Sequence, residues 1–188
     1  LKPSNPADVA HMREWIKETD EAGFEGVAAL SFTAVFRAKL LSMSEKDRQS
    51  YWDGQTVLER TQRQQSCVFE GLKSPYVLRA IACWERIFTK IDKTILANGP
   101  WLMGEQFTLA DLEISTFVAR LDGLMLVDTW LEDLPNAQAW WRAIQDRPSY
   151  SEARVGPSGQ EVDAMRTEGL KILDEFKEKR AEYLSNYG

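Results

Sequence analysis

Three observations predict an all-α fold. Apolar side chains recur at helical spacing in each long segment, as Met12, Trp15 and Ile16 do near the start. Residues that cap or start helices stand just before these segments: Asn, Ser and Thr as caps, and Pro at the first helical position. No period-two alternation runs for the length of a strand. We therefore expect a helical bundle with an added amphipathic helix at its C-terminal end.

The composition suits one compact domain and narrows its partners. The chain has 188 residues, 44% of them hydrophobic, which is ample material for a core. A net charge of −6 argues against a nucleic-acid partner and against an anionic membrane surface. No apolar run is long enough to span a bilayer. With two cysteines and one histidine no Cys/His zinc site is expected, and no other metal is called for.

The cysteines bear on the compartment. Cys67 and Cys83 form no C-x-x-C spacing, so we expect a reduced, intracellular protein, cytoplasmic by default. The sequence starts at Leu1 rather than at Met, so an organellar location stays open.

The first helix is expected from about Pro6 to Leu41, capped by Asn5 after a proline-bearing linker. Gly23 and Gly26 lie three residues apart on this helix and leave a groove on one face. Two explanations for that groove stay open. Either a ligand or partner approaches the helix closely there, or another helix packs closely against it.

Caps and apolar stripes predict the remaining helices. Ser44 caps a polar helix and Ser74 caps an apolar one, and the expected ranges are 44–72 with a break at 53–54, 75–98, 108–122, 135–147 and 160–184. The polar helix indicates either a solvated face or a partner-binding element. The last helix is amphipathic and packs either on its own domain or on a partner. A break at 156–159 divides the chain into a linker (1–6), a helical domain (7–155) and a C-terminal extension (156–188).

The helix that starts at Thr108 carries a capping box. The Thr108 hydroxyl can accept the Asp111 backbone N–H, and the Asp111 carboxylate can accept the Thr108 N–H. The carboxylate also lies at the positive end of the helix dipole. The apolar run from Leu112 to Leu121 is too hydrophobic for a surface helix. We assign Thr108 and Asp111 a structural role as caps.

Two motifs in this order resemble the C-terminal all-helical domain of the glutathione S-transferase family. The first is L-x-G-x-x-x-T-x-A-D at 102–111, and the second is P-N-x-x-x-W-x-x-x-x-x-x-R-P at 135–148. The resemblance covers about Pro6 to Tyr150. Segment 19–24 is similar, more loosely, to bacterial members such as the β-etherases and the tetrachlorohydroquinone reductive dehalogenase, and segment 151–155 is similar to the latter.

The resemblance implies a division of roles. In the family, the thiol-activating residue and most glutathione contacts come from an N-terminal thioredoxin-like domain, which is not within these 188 residues. The middle of the first helix would line an apolar pocket for the electrophile. Carried over by position, the candidates for that pocket are Phe24, Val27, Leu30, Ser31, Phe36 and, as an anion contact, Arg37. Ordinary core packing is the alternative for each aromatic side chain.

No catalytic residue is predicted within the chain. His11 is the lone histidine, and neither a G-x-S-x-G nor a P-loop sequence occurs. Two functions stay open. The chain is the acceptor-binding and dimerisation half of a glutathione S-transferase that acts on a hydrophobic electrophile, with glutathione as co-substrate and with a thioredoxin-like domain before Leu1. Alternatively, it is a non-catalytic structural or interaction subunit of a larger assembly.

Either function implies a homodimer or a protein partner, and the first adds a hydrophobic small molecule. We expect the 188 residues alone to be catalytically inactive.

Overall fold

A computed structural model of the protein describes residues 1–154 and 159–188. The α-helices in these residues are α1 (Pro6–Glu18), α2 (Phe24–Ser31), α3 (Arg37–Ser42), α4 (Glu45–Asp53), α5 (Leu58–Glu70), α6 (Pro75–Asn98), α7 (Leu109–Gly123), α8 (Asp128–Leu131), α9 (Pro135–Gln145), α10 (Pro148–Arg154) and α11 (Gly159–Tyr187). The described residues contain no β-strand, and an isolated antiparallel bridge joins Trp101 and Gly104. The predicted all-α class is confirmed. No helix of this described part is long and apolar enough to cross a bilayer.

The first predicted helix is confirmed as one helical run with two irregular turns. Helices α1, α2 and α3 follow one another through π-helical segments at Thr19–Gly23 and Phe32–Phe36. The Asn5 side chain caps the run, because its Oδ1 accepts the Ala7 N–H at 3.0 Å. Each π-helical turn rotates the side chains that follow it, so α1, α2 and α3 present different faces to the core. No residue pattern in the sequence predicted these π-helical turns.

Helix packing explains the two glycines of the first helix. A Cβ on Gly26 would lie 3.0 Å from Trp84 Nε1 and 3.4 Å from the Ala80 Cα, both on α6. A Cβ on Gly23 would lie 3.4 Å from the Trp84 ring. Trp84 is fully buried. The groove that the glycines leave is therefore filled by an indole of the same chain.

Helix α9 is fastened to α6 by a capping residue that lies far away in the sequence. Asp92 Oδ1 accepts the N–H groups of Asn136 and Ala137 at 2.8 and 3.0 Å, and its Oδ2 accepts the Asn136 side chain at 3.2 Å. Asp92 thus satisfies free donors in the first turn of α9, which begins at Pro135. The contact aligns the helix that carries the second sequence motif.

Helix α11 packs back on its own chain. Phe176 is fully buried and meets Trp130 edge to face at 5.3 Å. Arg180 donates to both carboxylate oxygens of Glu85 at 2.7 and 3.0 Å. Gly169 lies so close to the Leu124 backbone that a Cβ would overlap it. The break predicted at 156–159 falls almost wholly outside the described residues, and the division of the chain at 155 stays a prediction.

Helix α7 is largely buried, as its apolar run predicted. Ile114, Val118 and Leu121 are fully buried, whereas Leu112 is 42% exposed. The buried residues recur at helical spacing and face the core, while Leu112 lines a cavity with residues of α9 and α10. An apolar side chain is thus left at the surface of α7.

Candidate functional site

The buried centre of the motif region is the Asp111 carboxylate, which is fully buried. Its Oδ2 accepts the Thr108 N–H at 2.9 Å and the Thr108 hydroxyl at 3.2 Å, which completes the predicted capping box. Its Oδ1 accepts the Leu102 N–H at 2.9 Å and the Trp140 indole N–H at 3.0 Å. Asp111 therefore joins the loop before α7, α7 itself and α9. The bond to Trp140 links the two sequence motifs, and the sequence reading missed it.

An exposed aromatic pair marks the side where α2 meets α7. Phe24 of α2 packs edge to face on Phe117 of α7, with ring centroids 6.2 Å apart. Phe24 is 42% exposed, so the pair is open to solvent. Edge-to-face pairs of this kind leave a ring face free for a further aromatic group.

A buried serine and a half-buried arginine continue the same side. Arg120 of α7 donates from Nε to the Ser31 hydroxyl at 3.0 Å. Ser31 follows Phe24 by seven residues and Arg120 follows Phe117 by three, so each pair shares one helix face. Burial lowers the pKa of Arg120. We call the surface formed by Phe24, Ser31, Phe117 and Arg120 the α2–α7 face.

The six predicted pocket residues do not converge on one place. Phe24 and Ser31 lie on the α2–α7 face, while Val27 and Leu30 are buried in the core. Phe36 stacks on Phe32 at 4.8 Å and is 38% exposed. Contact of any of these residues with an acceptor stays a prediction.

Arg37 lies apart from the α2–α7 face, in a cavity of about 520 Å³ between the first helix, the turn before α6 and α11. A Cβ on Gly71, which has φ +61°, would come within 3.3 Å of Arg37 Nε. The remaining lining includes Thr33, Lys73, Ile172 and Glu175. Arg37 follows Phe24 by thirteen residues, a spacing that places the two side chains on different faces even of a regular helix.

The described residues offer little to activate a nucleophile. Cys67 and Cys83 are buried, and burial raises the pKa of both thiols, that of Cys83 to about 11. His11 is exposed, and its Nδ1 lies 3.1 Å from Glu14 Oε2. The described residues include no group of three or more His, Cys, Asp or Glu side chains that could hold a metal ion. The arrangement on the α2–α7 face suits binding of an apolar ring beside a cation.

Arg120 is the site residue that the sequence reading missed. It stands in the apolar run after the capping box, where a single basic residue at a helix end is ordinarily a solvated one. The sequence offers one signal for this role, which is a cation one turn beyond Phe117 on a helix that was expected to be buried. The partner Ser31 lies 89 positions away, so no local pattern indicates the contact.

The fold and the motif network define an all-helical domain of the glutathione S-transferase type. The family model described as Glutathione S-transferase, C-terminal domain, matches residues 56–143. This match includes the capping box, Asp111 and Trp140, and it confirms the family recognised from the two motifs.

Individual relatives come from the genus Sphingobium. The tetrachloro-p-hydroquinone reductive dehalogenase of Sphingobium chlorophenolicum is 21% identical over 165 residues, which are 83% of this chain and 64% of that protein. The 2,5-dichlorohydroquinone reductive dechlorinases of two Sphingobium indicum strains are 31% identical over 87 residues, 45% of this chain and 25% of those proteins.

A solved structure shares the fold. The crystal structure of β-etherase LigF from Sphingobium sp. strain SYK-6 superposes with a TM-score of 0.69 at 20% identity, covering 84% of this chain and 65% of that one. The chain therefore spans less than two thirds of the length of each of these relatives.

Proposed function

We propose that this chain is the acceptor-binding half of a glutathione S-transferase that acts on a hydrophobic aromatic electrophile. A thioredoxin-like domain, in the same polypeptide or in another, would bind glutathione and activate its thiol. The thiolate sulfur would form a bond to a carbon of the acceptor while a halide or an alkoxide leaves. The family match at 56–143 and the names of the relatives, which act on halogenated hydroquinones or cleave β-ethers, support this proposal.

The observation that carries the proposal is the exposed apolar surface of α2 and α7. Phe24 is 42% exposed, and Phe117 packs against it. An open aromatic pair gains from the removal of water when a ring packs on it, by about 25 cal/mol for each Å² of apolar surface covered. A planar, apolar acceptor is the ligand that this surface suits.

A binding experiment tests the proposal on the 188-residue chain. Chlorodinitrobenzene is titrated into isotope-labelled protein, and backbone NMR signals report where it binds. We expect signals of Phe24 and Phe117 to shift, and Phe24→Ala or Phe117→Ala to weaken binding several-fold. Phe69→Ala is the matched control, because Phe69 is 50% exposed but lies on α5. Binding that depends on Phe69, or that ignores Phe24, would contradict the proposal.

The same sample tests the expected lack of activity. Glutathione is added with chlorodinitrobenzene, and conjugate formation is followed by absorbance. We expect the uncatalysed rate, because the two cysteines are buried and the described residues hold no group placed to ionise the thiol of glutathione. Turnover above that rate would show that the chain activates glutathione by itself.

A second candidate is a non-catalytic interaction subunit, and exposed apolar residues at the two ends of α5 favour it. Val57, Leu58 and Phe69 are 44%, 67% and 50% exposed, which is unusual for large apolar side chains close together in sequence. This candidate also accommodates the homodimer or larger assembly that the sequence implies. A chain that binds no aromatic electrophile, yet forms a stable oligomer by light scattering, would support it over the first.

A further inference from the structure

Arg120 is a half-buried cation that no carboxylate of the described residues neutralises. Its Nε–H donates to the Ser31 hydroxyl at 3.0 Å, and within residues 1–154 and 159–188 it forms no ion pair. An arginine presents five N–H donors in a planar fork, so the remaining four have no protein acceptor in that described part. Ser31 orients the guanidinium without neutralising it.

Two arginines that are more deeply buried than Arg120 pair with carboxylates. Arg63 pairs with Glu25 at 2.6 Å, and Arg180 pairs with Glu85 at 2.7 Å. Withdrawing a cation from water is unfavourable unless an anion compensates. Arg120 has no such anion among the described residues, and burial lowers its pKa. An anion from outside the described chain would supply it.

The neighbours of Arg120 restrict the shape of that anion. Phe117 lies one helical turn before it on α7, and Phe24 packs on Phe117 from α2. The i, i+3 spacing of Phe117 and Arg120 places the aromatic pair and the arginine on neighbouring positions of one face of α7. A ring that packs on these two side chains brings an oxygen substituent towards the free N–H groups.

We propose that Arg120, oriented by Ser31, binds the anionic oxygen of an aromatic acceptor whose ring packs on Phe24 and Phe117. The inference rests on the proposed function, because it assigns the acceptor class of the same α2–α7 face. The anionic group is a phenolate or an arene carboxylate. Arginine forms stronger, shorter hydrogen bonds to either group than to a neutral ether oxygen.

The test compares three probes of similar size on the 188-residue chain. They are para-nitrophenolate, para-nitrobenzoate and para-nitroanisole, titrated by NMR at a pH where the phenol is ionised. We expect at least one anion to bind about 10-fold more tightly than the neutral ether. We also expect the Arg120 Nε–H signal to shift with that anion and to stay in place with the ether. The tighter anion identifies the substituent.

Matched variants assign the preference to one residue. Arg120→Met keeps the apolar stem and should bring the affinity for the anion down to that for the ether. Arg120→Lys keeps the charge and should retain part of the preference, because the planar fork is lost. Arg142→Met on α9 is the control, since Arg142 is exposed there, and should retain the whole preference. Circular dichroism confirms that each variant is folded.

The outcomes separate this inference from the proposed function. Equal binding of anions and ether, with loss of both in Phe24→Ala, overturns the role of Arg120 and leaves the acceptor face intact. Failure of all three probes to bind overturns both. A structure of a longer form of the protein with a carboxylate of another domain within 4 Å of Arg120 would also overturn the inference.

Discussion

At the scale of single residues, the Asp111 carboxylate shows how one side chain can fasten three segments. It accepts four hydrogen bonds, from Thr108 N, Thr108 Oγ1, Leu102 N and Trp140 Nε1, in a site without solvent. Hydrogen bonds to a charged acceptor each contribute about 1.5 to 3 kcal/mol to stability, and a buried donor left without its partner adds a penalty.

Replacing the carboxylate by an amide of the same shape tests this arrangement. In Asp111→Asn one oxygen becomes an NH₂ group that faces N–H donors, so we expect a loss of about 3 kcal/mol or more in the free energy of unfolding. Trp140→Phe removes one donor and also leaves space beside the smaller ring, so we expect a loss of about 2 kcal/mol. Urea unfolding measures both. A loss below about 1 kcal/mol in Asp111→Asn would mean that the bonds to Thr108 and Leu102 contribute little.

At the scale of elements, Glu18 fastens the end of α1 to α6. Its Oε2 accepts from Lys90 Nζ at 2.6 Å and its Oε1 accepts from Arg86 Nε at 3.2 Å. Burial raises the pKa of Glu18. The hydrogen bonds and charges of Lys90 and Arg86 together lower the pKa by more than burial raises it, so it lies below its ordinary value of 4.5. Because the pKa of Glu18 is lower in the folded state than in the unfolded state, this contact stabilises the fold at pH values above the unfolded-state pKa. The stabilisation is lost as the pH falls through the folded-state pKa.

The acid limb of the stability profile should therefore depend on this contact. We expect Glu18→Gln to lose less stability than the wild type when the pH falls from about 6 to about 3, because it has no carboxylate to protonate. Lys90→Met should flatten the limb in the same direction. Lys93→Met, an exposed lysine on the same helix, is the control. Urea unfolding at a series of pH values reports the slopes, and parallel profiles for wild type and Glu18→Gln would refute the expectation.

At the scale of the whole molecule, the sequence predicted the features that depend on residues close together in the chain. The caps at Asn5, Ser44, Ser74 and Thr108 form as predicted, because a cap and its helix lie within four residues of each other. The pairing of Ser31 with Arg120 joins residues 89 positions apart and left no local pattern. The π-helical turns at Thr19–Gly23 and Phe32–Phe36 also escaped prediction, since no residue pattern in the sequence indicates them.

The docking of α11 is the long-range feature with the largest consequence for stability. A series of aromatic rings runs through the core, from Trp84 to Phe88 on α6, then to Trp130 on α8 and Phe176 on α11, at centroid distances of 5.3, 5.7 and 5.3 Å. All four side chains are fully buried. Helix α11 thus contributes a ring to the same core as α6, so we expect it to unfold together with the rest of the chain.

Phe176→Ala examines this cooperativity. We expect a loss of about 3 to 5 kcal/mol in the free energy of unfolding, because the substitution leaves a cavity beside Trp130. Leu170→Ala on the same helix, where Leu170 is 53% exposed, should change it by less than about 0.5 kcal/mol. Helicity and tryptophan fluorescence should follow one urea transition in all three proteins. A separate early loss of helicity would mean that the predicted extension at 156–188 is an independent unit, joined to the bundle by a contact that is dispensable for folding.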